Sequence, residues 1–469
     1  MKKLSRPEYL LAISGLLIAA LNASAYWAVF RLNFLSASQD FRQAITAGIF
    51  SSLSVVIFGL IWRHRQAILA GGPRVIAIIG IVSVLLFSTA VAAPLAGVPD
   101  NYWNTLMSRA YVIYGLNPYR IFPQLMPNDA LFPMTAHEWR NDTMHYGPVW
   151  VLAAALPVLV THDPAAELVG MKILLVAAYV GGGLLLWAAL RRRARLLGST
   201  RDAQADLFLA VWLWNPAAVF EIGNSAHNDG LLIFFLCIFA VGLLRGKPQW
   251  ALPSLALAVM TKYWPVVLVS ALFGLRGARR REWLRGAAAA FVVLCLPLLF
   301  GGWSAVLPGV IRQSNLISPR YYSPLIFWLW QSLVAFGRNP LESFYPARIA
   351  GGVFFLSAAA LSAFLLYRRK ISSLTAAGLT ALAFLVAVMG WLQPWYLLAV
   401  LPLALRPERP DWGEEYASLA ALAAVSGFLA YRISWGWVAL LPLAAILYFR
   451  KSDKSRLERL TSFCCRIKL

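Results

Sequence analysis

Residues 75–119 read VIAIIGIVSVLLFSTAVAAPLAGVPDNYWNTLMSRAYVIYGLNPY, and this stretch decides the fold class of the chain. The segment 75–96 is apolar over the length that a helix needs to cross a bilayer, about 20 residues. It ends just before Asp100, and an aromatic stretch and the turn signal GLNPY at 115–119 follow. The junction predicts a transmembrane helix that leaves the membrane beside a carboxylate.

The rest of the chain repeats this apolar pattern. Of its 469 residues, 60% are hydrophobic and 13% are charged, and the mean hydropathy is +0.66. An average soluble protein has about 25% charged residues. The composition therefore excludes a soluble domain, a disordered chain, a coiled coil and a disulfide scaffold, and it predicts an all-α polytopic membrane protein.

The formal net charge of +22 would ordinarily suggest a nucleic-acid partner. However, the basic residues stand in short clusters between apolar runs, for example Arg191–Arg193 and Arg279–Arg281. The positive-inside rule produces this distribution in membrane proteins. We therefore predict that these basic residues contact the anionic headgroups of the lipid bilayer. We also predict that the protein binds no nucleic acid.

The apolar runs predict about 12 transmembrane helices. They are 9–30, 44–62, 75–96, 166–190, 205–220, 229–244, 286–304, 346–367, 371–391, 393–405, 416–431 and 434–449. Three other apolar segments are predicted to form re-entrant or interfacial helices. Segments 146–160 and 323–337 are shorter than the roughly 17 residues that a span needs. Segment 248–274 contains Lys262 and has basic clusters at both ends, which favours a hairpin of two short helices.

This assignment predicts on which side of the membrane each loop lies. Both termini and most of the 42 Lys and Arg residues fall on the cytoplasmic side. The outer face receives 97–165, 221–228, 305–345 and 391–393, and with them four of the five histidines. We therefore predict a multi-pass protein of the cell membrane with its active site on the outer face, away from ATP and nucleotide sugars.

The same pattern predicts three regions along the chain. Residues 1–305 form a catalytic membrane module whose first large outer loop is 97–165. Residues 306–449 form a C-terminal transmembrane module, and 450–469 form a basic cytoplasmic tail.

Asp100 is the first candidate for chemistry. A carboxylate at the exit of a span lies partly in low dielectric, which raises its pKa toward the range of a general base. The alternative is a helix N-cap, for which Asp is a preferred residue. Later in the same loop, Asp142, His145 and Tyr146 stand among bulky aromatic residues, which suits either stacking on a sugar or an interfacial aromatic belt.

The other outer segments add charged residues. Glu221, His227 and Asp229 stand within nine residues, but their spacing matches no standard ligand pattern, so we predict no metal and assign His227 to a phosphate or sugar hydroxyl. Lys262 lies inside an apolar segment, where an ionisable residue indicates function unless it pairs with a helix end or snorkels. Arg312 and Arg320 suit a lipid-linked phosphate, or simple contact with headgroups.

Taken in order, these segments resemble the GT-C superfamily of integral-membrane glycosyltransferases, which use polyprenyl-phosphate sugars as donors. The resemblance rests on Asp100, GLNPY (115–119), YGPVW (146–150), WNP (214–216), HND (227–229), TKYWP (261–265) and QPWY (393–396). Two of these motifs, YGPVW and HND, make the chain most similar to bacterial polyprenol-phosphate-mannose-dependent α-1,6-mannosyltransferases.

The resemblance implies a GT-C-like fold and an inverting glycosyltransferase that needs no cofactor. The expected reaction is transfer of a sugar, with mannose as the first choice, from polyprenyl phosphate to a glycan or glycolipid acceptor. Asp100 would accept the proton of the acceptor hydroxyl. Many relatives carry a second acidic residue shortly after the first, where this chain has Asn101 and Asn104, so Asp142 is the reserve base.

The residues predicted to bind donor or acceptor are polar and aromatic side chains of these motifs and of the outer segments. They are Tyr102, Arg109, Asn117, Tyr119, Asp142, His145, Tyr146, His227, Asn228, Asp229, Lys262, Arg312, Arg320 and Tyr321. Two other functions stay open, a transporter or flippase of a lipid-linked sugar and a non-catalytic scaffold. The sequence has no convincing half-repeat and few charges near the midplane, which favours the glycosyltransferase.

Overall fold

A computed structural model describes residues 4–32, 39–95, 100–196, 202–314, 323–390 and 392–430. In these ranges all regular structure is helical, which confirms the predicted all-α class. The α-helices are α1 (Arg6–Leu32), α2 (Gln39–Arg63), α3 (Arg65–Ala70), α4 (Pro73–Ala92), α5 (Asp100–Val112), α6 (Pro148–Val160), α7 (Pro164–Leu196), α8 (Asp202–Leu213), α9 (Pro216–Ala218), α10 (Asp229–Leu244), α11 (Pro248–Thr261), α12 (Arg280–Leu294), α13 (Trp303–Ser314), α14 (Pro324–Ala335), α15 (Pro340–Tyr367), α16 (Ser373–Ala387), α17 (Pro394–Val400) and α18 (Trp412–Ala430). A π-helix covers Val219–Asn224, and 3₁₀ helices cover Pro123–Leu125, His137–Trp139, Trp264–Leu275, Leu296–Phe300 and Leu401–Leu403.

Within the described ranges, seven helices are long and apolar enough to cross a membrane. They are Arg6–Arg31, Ile45–Arg63, Pro73–Ala92, Pro164–Leu196, Ala203–Asn224, Arg280–Phe300 and Glu342–Tyr367, and each coincides with a predicted span. The predicted spans 229–244 and 371–391 fold as the 16-residue α10 and the 15-residue α16. Of the rest, 393–405 contains the short α17, 416–431 coincides with α18, and 434–449 lies outside the described residues, as does the tail 450–469. The total of 12 therefore stays a prediction.

Proline marks the start of many helices. The first residue of α4, α6, α11 and α14 is a proline. Its ring fixes φ near the helical value, and its missing N–H is not needed in the first turn. The segments predicted not to cross begin in this way, and two of them form helices of only 13 residues (α6) and 12 residues (α14).

Segment 248–274 is broken into two helical pieces, as predicted. The α-helix α11 ends at Thr261, Lys262 is extended (φ −153°, ψ 116°), and a 3₁₀ helix begins at Trp264. Pro265 has no N–H for the α-helical ladder, which explains why α11 does not continue. The break presents Lys262 at the end of a helix. Whether the two pieces form a re-entrant hairpin stays a prediction.

One helical segment, Ala203–Asn224, forms the centre of the bundle, and it comprises α8 from its second residue, α9 and the π-helix. The most apolar window of Ala203–Asn224 is completely buried within the protein, whereas the other candidate spans are buried over less than half of theirs. Its mean hydropathy of 1.3 is the lowest of the seven, so its position among the other helices, and not a more apolar sequence, accounts for this burial. Trp212 illustrates the packing, because its indole stacks on Tyr179 of α7 at 4.8 Å between ring centroids. This central segment ends in the π-helix that carries Glu221.

The buried core is continuous along the described chain. One cluster of contacting buried side chains runs from Leu11 in α1 to Phe428 in α18, and it includes Trp395 of α17. A smaller cluster contains Ile326, Phe344 and Ala347. The predicted division between 305 and 306 stays a prediction.

An ion-pair cluster fixes α5, which carries Asp100. Arg109, in the last turn of α5, donates to Asp129 at 2.8 Å and to Glu167 of α7 at 2.7 Å. The Tyr114 hydroxyl donates to the same carboxylate of Asp129 at 2.7 Å. Both carboxylates are almost completely buried. Arg109, predicted to bind substrate, therefore ties α5 to the outer loop and to α7.

Gly147 brings α6 against the end of α11. Its N–H donates to the carbonyl of Thr261 at 3.1 Å, and a Cβ at this position would overlap the backbone carbonyl of Met260. The close approach is open only to glycine. It sets Tyr146 beside Lys262.

We expect Arg109→Gln to lower the free energy of unfolding by about 3–5 kcal/mol, because two buried carboxylates lose their cation. The loss of stability is measured by thermal unfolding of the purified variant in detergent. The matched control is Arg192→Gln on the exposed end of α7, which should change stability by less than about 0.5 kcal/mol. An unchanged melting temperature with a raised KM would instead support the predicted substrate-binding role.

We expect Gly147→Ala to lower the melting temperature and the activity together, since the added methyl pushes α6 away from the Met260 carbonyl at a cost of about 1–3 kcal/mol. The control is Gly59→Ala in α2, where a Cβ meets nothing within 4 Å. Equal melting temperatures for the two variants would contradict the close approach.

Candidate active site

Asp100 begins α5, and its side chain is 14% exposed. Burial raises the pKa of this carboxyl, and the charges of Glu138 and Asp229 act in the same direction. The positive charges of His227 and Lys262 oppose the shift but do not cancel it. A carboxyl with a raised pKa in a largely buried position fits the predicted general base.

His227 lies opposite Asp100, between two carboxylates. Its Nε2 is 3.9 Å from Oδ2 of Asp100, and its Nδ1 is 3.1 Å from Oε2 of Glu221. Burial by itself lowers the pKa of His227, but the hydrogen bond to Glu221 and the charges of Glu221, Asp100 and Asp229 raise it overall. Trp395 stacks on the imidazole at 3.6 Å between ring centroids and fixes its plane.

Lys262 completes the group of charges. Its Nζ donates to Oδ2 of Asp229 at 2.7 Å and to Oδ1 of Asn228 at 3.3 Å. The ammonium also lies 4.2 Å from the ring centroid of Tyr396 and 5.3 Å from that of Tyr146. The break after α11 allows this contact, because the extended backbone of Lys262 directs its side chain to the first turn of α10. Lys262 thus pairs with Asp229 and faces two aromatic rings.

Several polar atoms of this cluster are buried and have no hydrogen-bond partner among the described residues. They are Oδ1 of Asp100, Nε2 of His227, Nδ2 of Asn228 and Oδ1 of Asp229. Buried polar atoms are nearly always paired in folded proteins, and exceptions need an explanation. Four such atoms in one cluster are the expected feature of a site that binds a polar ligand.

Aromatic side chains line the cluster on the side of the outer loop. His145 stacks on Trp103 at 4.8 Å between centroids, and its ring is 4.5 Å from that of Tyr146. Burial, helped by the charge of Lys262, lowers the pKa of His145 to about 3, so this ring is neutral at physiological pH. Neutral stacked rings next to hydrogen-bonding groups suit contact with a sugar.

Other predicted site residues support the loop. Asn117 donates to the carbonyl of Phe300 at 2.7 Å and accepts from the N–H of Tyr119 at 3.0 Å. The Tyr119 hydroxyl donates to the carbonyl of Tyr146 at 2.8 Å. Arg109 is nine positions from Asp100 on the same helix, or about 13 Å along its axis. The contacts of these three residues are with the backbone and with carboxylates of the loop and of α7, and Tyr119 holds Tyr146 directly.

The remaining predicted residues are Tyr102, Asp142, Arg312, Arg320 and Tyr321. Tyr102 and Asp142 are partly buried, on α5 and in the outer loop. Arg312 lies near the end of α13, and its side chain is outside the described part of the structure, as are Arg320 and Tyr321. In the described ranges no three His, Cys, Asp or Glu side chains are grouped to hold a metal ion.

Three residues of the cluster are not among the site residues predicted from the sequence. Glu221 was considered only as a metal ligand, and Trp395 and Tyr396 were not among the predicted site residues. A carboxylate directly after an apolar span was the available signal for Glu221, because such charges are costly in a membrane and are usually functional. No sequence signal distinguishes Trp395 and Tyr396 from an interfacial aromatic belt.

Comparisons with known proteins agree with the resemblance found in the sequence. The family model described as alpha-(1->6)-mannopyranosyltransferase, N-terminal domain, matches residues 7–278, which is more than half of the chain. Alpha-(1->6)-mannopyranosyltransferase A of Corynebacterium glutamicum is 25% identical over 192 residues, which cover 39% of this chain and 36% of that protein. No solved structure matches the chain. The chain belongs to the alpha-(1->6)-mannopyranosyltransferase family.

Proposed function

We propose that the protein is a membrane glycosyltransferase that transfers mannose from a polyprenyl-phosphate donor to a glycan or glycolipid acceptor. The main support for the proposal is the cluster in which Asp100 faces His227, with Lys262 beside them. Membership of a mannosyltransferase family and the resemblance of the partly matched relative support the choice of sugar.

The reaction we propose is a single displacement with inversion. The acceptor oxygen attacks the anomeric carbon, Asp100 takes the proton of that hydroxyl, and the bond from the anomeric carbon to the phosphate oxygen breaks. The leaving group is polyprenyl phosphate, which takes the electron pair of the broken bond. The reaction needs only one ionised carboxylate as base. We assign this role to Asp100 and not to Asp229, because the carboxylate of Asp229 is already paired with Lys262.

The negative charge that develops on the phosphate needs cations in a site of low dielectric. Lys262 and His227 are the cations whose charges act on Asp100, and both are buried. In this proposal His227 acts on the phosphate through its positive charge, while its Nε2 faces Asp100. The predicted donor contacts of Arg312, Arg320 and Tyr321 remain part of the proposal.

The proposed position of the site is the extracytoplasmic face of a multi-pass protein of the cell membrane, with both termini in the cytoplasm. The cluster lies beyond the end of α4, before α7 and between the central segment and α10. All of these junctions are outside in the assignment that follows the positive charges. A polyprenyl carrier is the form in which an activated sugar reaches that face.

We expect Asp100→Asn to reduce kcat about 10²–10⁴-fold, because the amide cannot accept the proton. The measurement is transfer of labelled mannose from a polyprenyl-phosphate donor by purified enzyme. Asp163→Asn, which changes an exposed aspartate of the same outer loop, is the matched control and should retain most activity. If Asp100→Asn were as fast as wild type, Asp100 would not be the base.

The pH dependence follows from the same carboxyl. Because burial raises the pKa of Asp100, the wild-type rate should fall on acidification at a higher pH than an ordinary Asp would give.

We expect reporter fusions at positions 130 and 200 to report opposite sides of the membrane, 130 outside and 200 inside, because α7 separates them. A pair of activity-based reporters, one active only in the cytoplasm and one only outside, makes the measurement. Reporters that place both positions on one side would contradict the proposed orientation.

A further inference from the structure

We infer that Glu221 is a positioning residue, which keeps His227 protonated and directed at Asp100 so that the proposed base stays ionised in its buried position. The inference deepens the proposed function and rests on it. Glu221 need not touch a substrate, because it acts through the imidazole.

The geometry fixes the imidazole on both sides. The backbone N–H of His227 donates to the carbonyl of Glu221 at 3.0 Å, and Nδ1 is 3.1 Å from both the carbonyl and the carboxylate of the same residue. Nδ1 therefore carries a proton, since an unprotonated nitrogen would face only acceptors. Nε2 is left pointing toward Asp100, and the stacked ring of Trp395 prevents the imidazole from turning over.

The backbone explains how a carboxylate reaches this place. Glu221 lies within the π-helix Val219–Asn224, and its side chain is completely buried. Single π-turns interrupt α-helices at functional sites more often than elsewhere. The turn packs closely against α4, where a Cβ on Gly223 would meet Ala90 and Phe87. The position of Glu221 is therefore set by the packing of the central segment.

The charges around Asp100 show why His227 is needed. The charges with the largest effects on Asp100 are those of His227, Lys262, Glu138 and Asp229. Those that act on His227 are Glu221, Asp100 and Asp229. Lys262 is paired with Asp229 at 2.7 Å, so those two charges largely compensate each other. His227 is then the cation available to balance Asp100, provided that it holds its second proton.

Removal of the Glu221 charge has two opposite effects on Asp100. Acting directly, the loss of a nearby negative charge would make Asp100 easier to ionise and would move the acidic limb of the pH–rate profile to lower pH. Acting through His227, the loss allows the imidazole to become neutral, so Asp100 is harder to ionise and the limb moves to higher pH. The direction of the shift distinguishes a positioning role from a simple charge effect.

The test is the pH profile of kcat/KM for Glu221→Gln. We expect its acidic limb to move upward by about one pH unit, the size of effect that an opposite charge within 4–6 Å exerts. Glu138→Gln is the matched control, because it removes an exposed negative charge that acts on Asp100 without contact to His227. The acidic limb of its pH profile should stay at the same pH or move to lower pH. A Glu221→Gln limb that stays or moves downward would overturn the inference.

Three further variants extend the test, and two of them, His227→Gln and Glu221→Asp, keep it independent of how well Glu221→Gln folds. His227→Gln should give the same upward shift, and the double variant should shift no further than His227→Gln alone, as expected for residues that act in series. If Glu221→Gln yields no folded protein, His227→Gln decides, and an unmoved limb rejects the inference. Glu221→Asp keeps the charge and should restore part of the wild-type profile.

A readout without catalysis separates this inference from the proposed function. NMR of protein labelled in histidine, with the His227 signal assigned from His227→Gln, should show this ring protonated at neutral pH in wild type and neutral in Glu221→Gln. If Asp100→Asn is fully active, the proposed base fails, whatever the NMR result. If Asp100→Asn is inactive but the His227 titration is the same in wild type and Glu221→Gln, only the role of Glu221 fails.

Discussion

The pairing of buried charges where helices end is the constraint on which the rest of the structure depends. A charge taken out of water without a partner costs several kcal/mol, so each charged residue of the site must be met by another element. Lys262 at the break after α11 meets Asp229 at the start of α10, and Arg109 of α5 meets Glu167 of α7. These contacts bring together segments that are far apart in sequence.

The membrane requires that the charges lie at interruptions of regular structure. A continuous helix satisfies its own backbone and presents apolar side chains, whereas a break frees polar groups that must be satisfied within the protein. The π-turn at Glu221, the extended residue Lys262 and the start of α5 at Asp100 are three such interruptions. They converge, and four polar atoms there still lack a partner among the described residues.

Most residues of the candidate site could be found from the sequence, but their roles could not. Asp100, His227, Asp229 and Lys262 stood out because charges next to apolar runs are costly and hence informative. Arg109, Asn117 and Tyr119 looked similar in the sequence, yet their contacts hold the outer loop. A polar residue in a loop carries the same pattern whether it faces a substrate or a neighbouring backbone, and only packing separates the two.

The sequence by itself determined the helical class, the position of seven apolar helices and the family, because hydropathy over about 20 residues and short motifs are local properties. Only the tertiary structure decided that the segment 203–224 is the enclosed centre of the bundle and that Glu221, Trp395 and Asp100 surround one imidazole. Lipid and protein interior are equally apolar, so hydropathy cannot tell a lipid-facing helix from a central one. Contacts across more than a hundred residues of chain depend on which helices pack together.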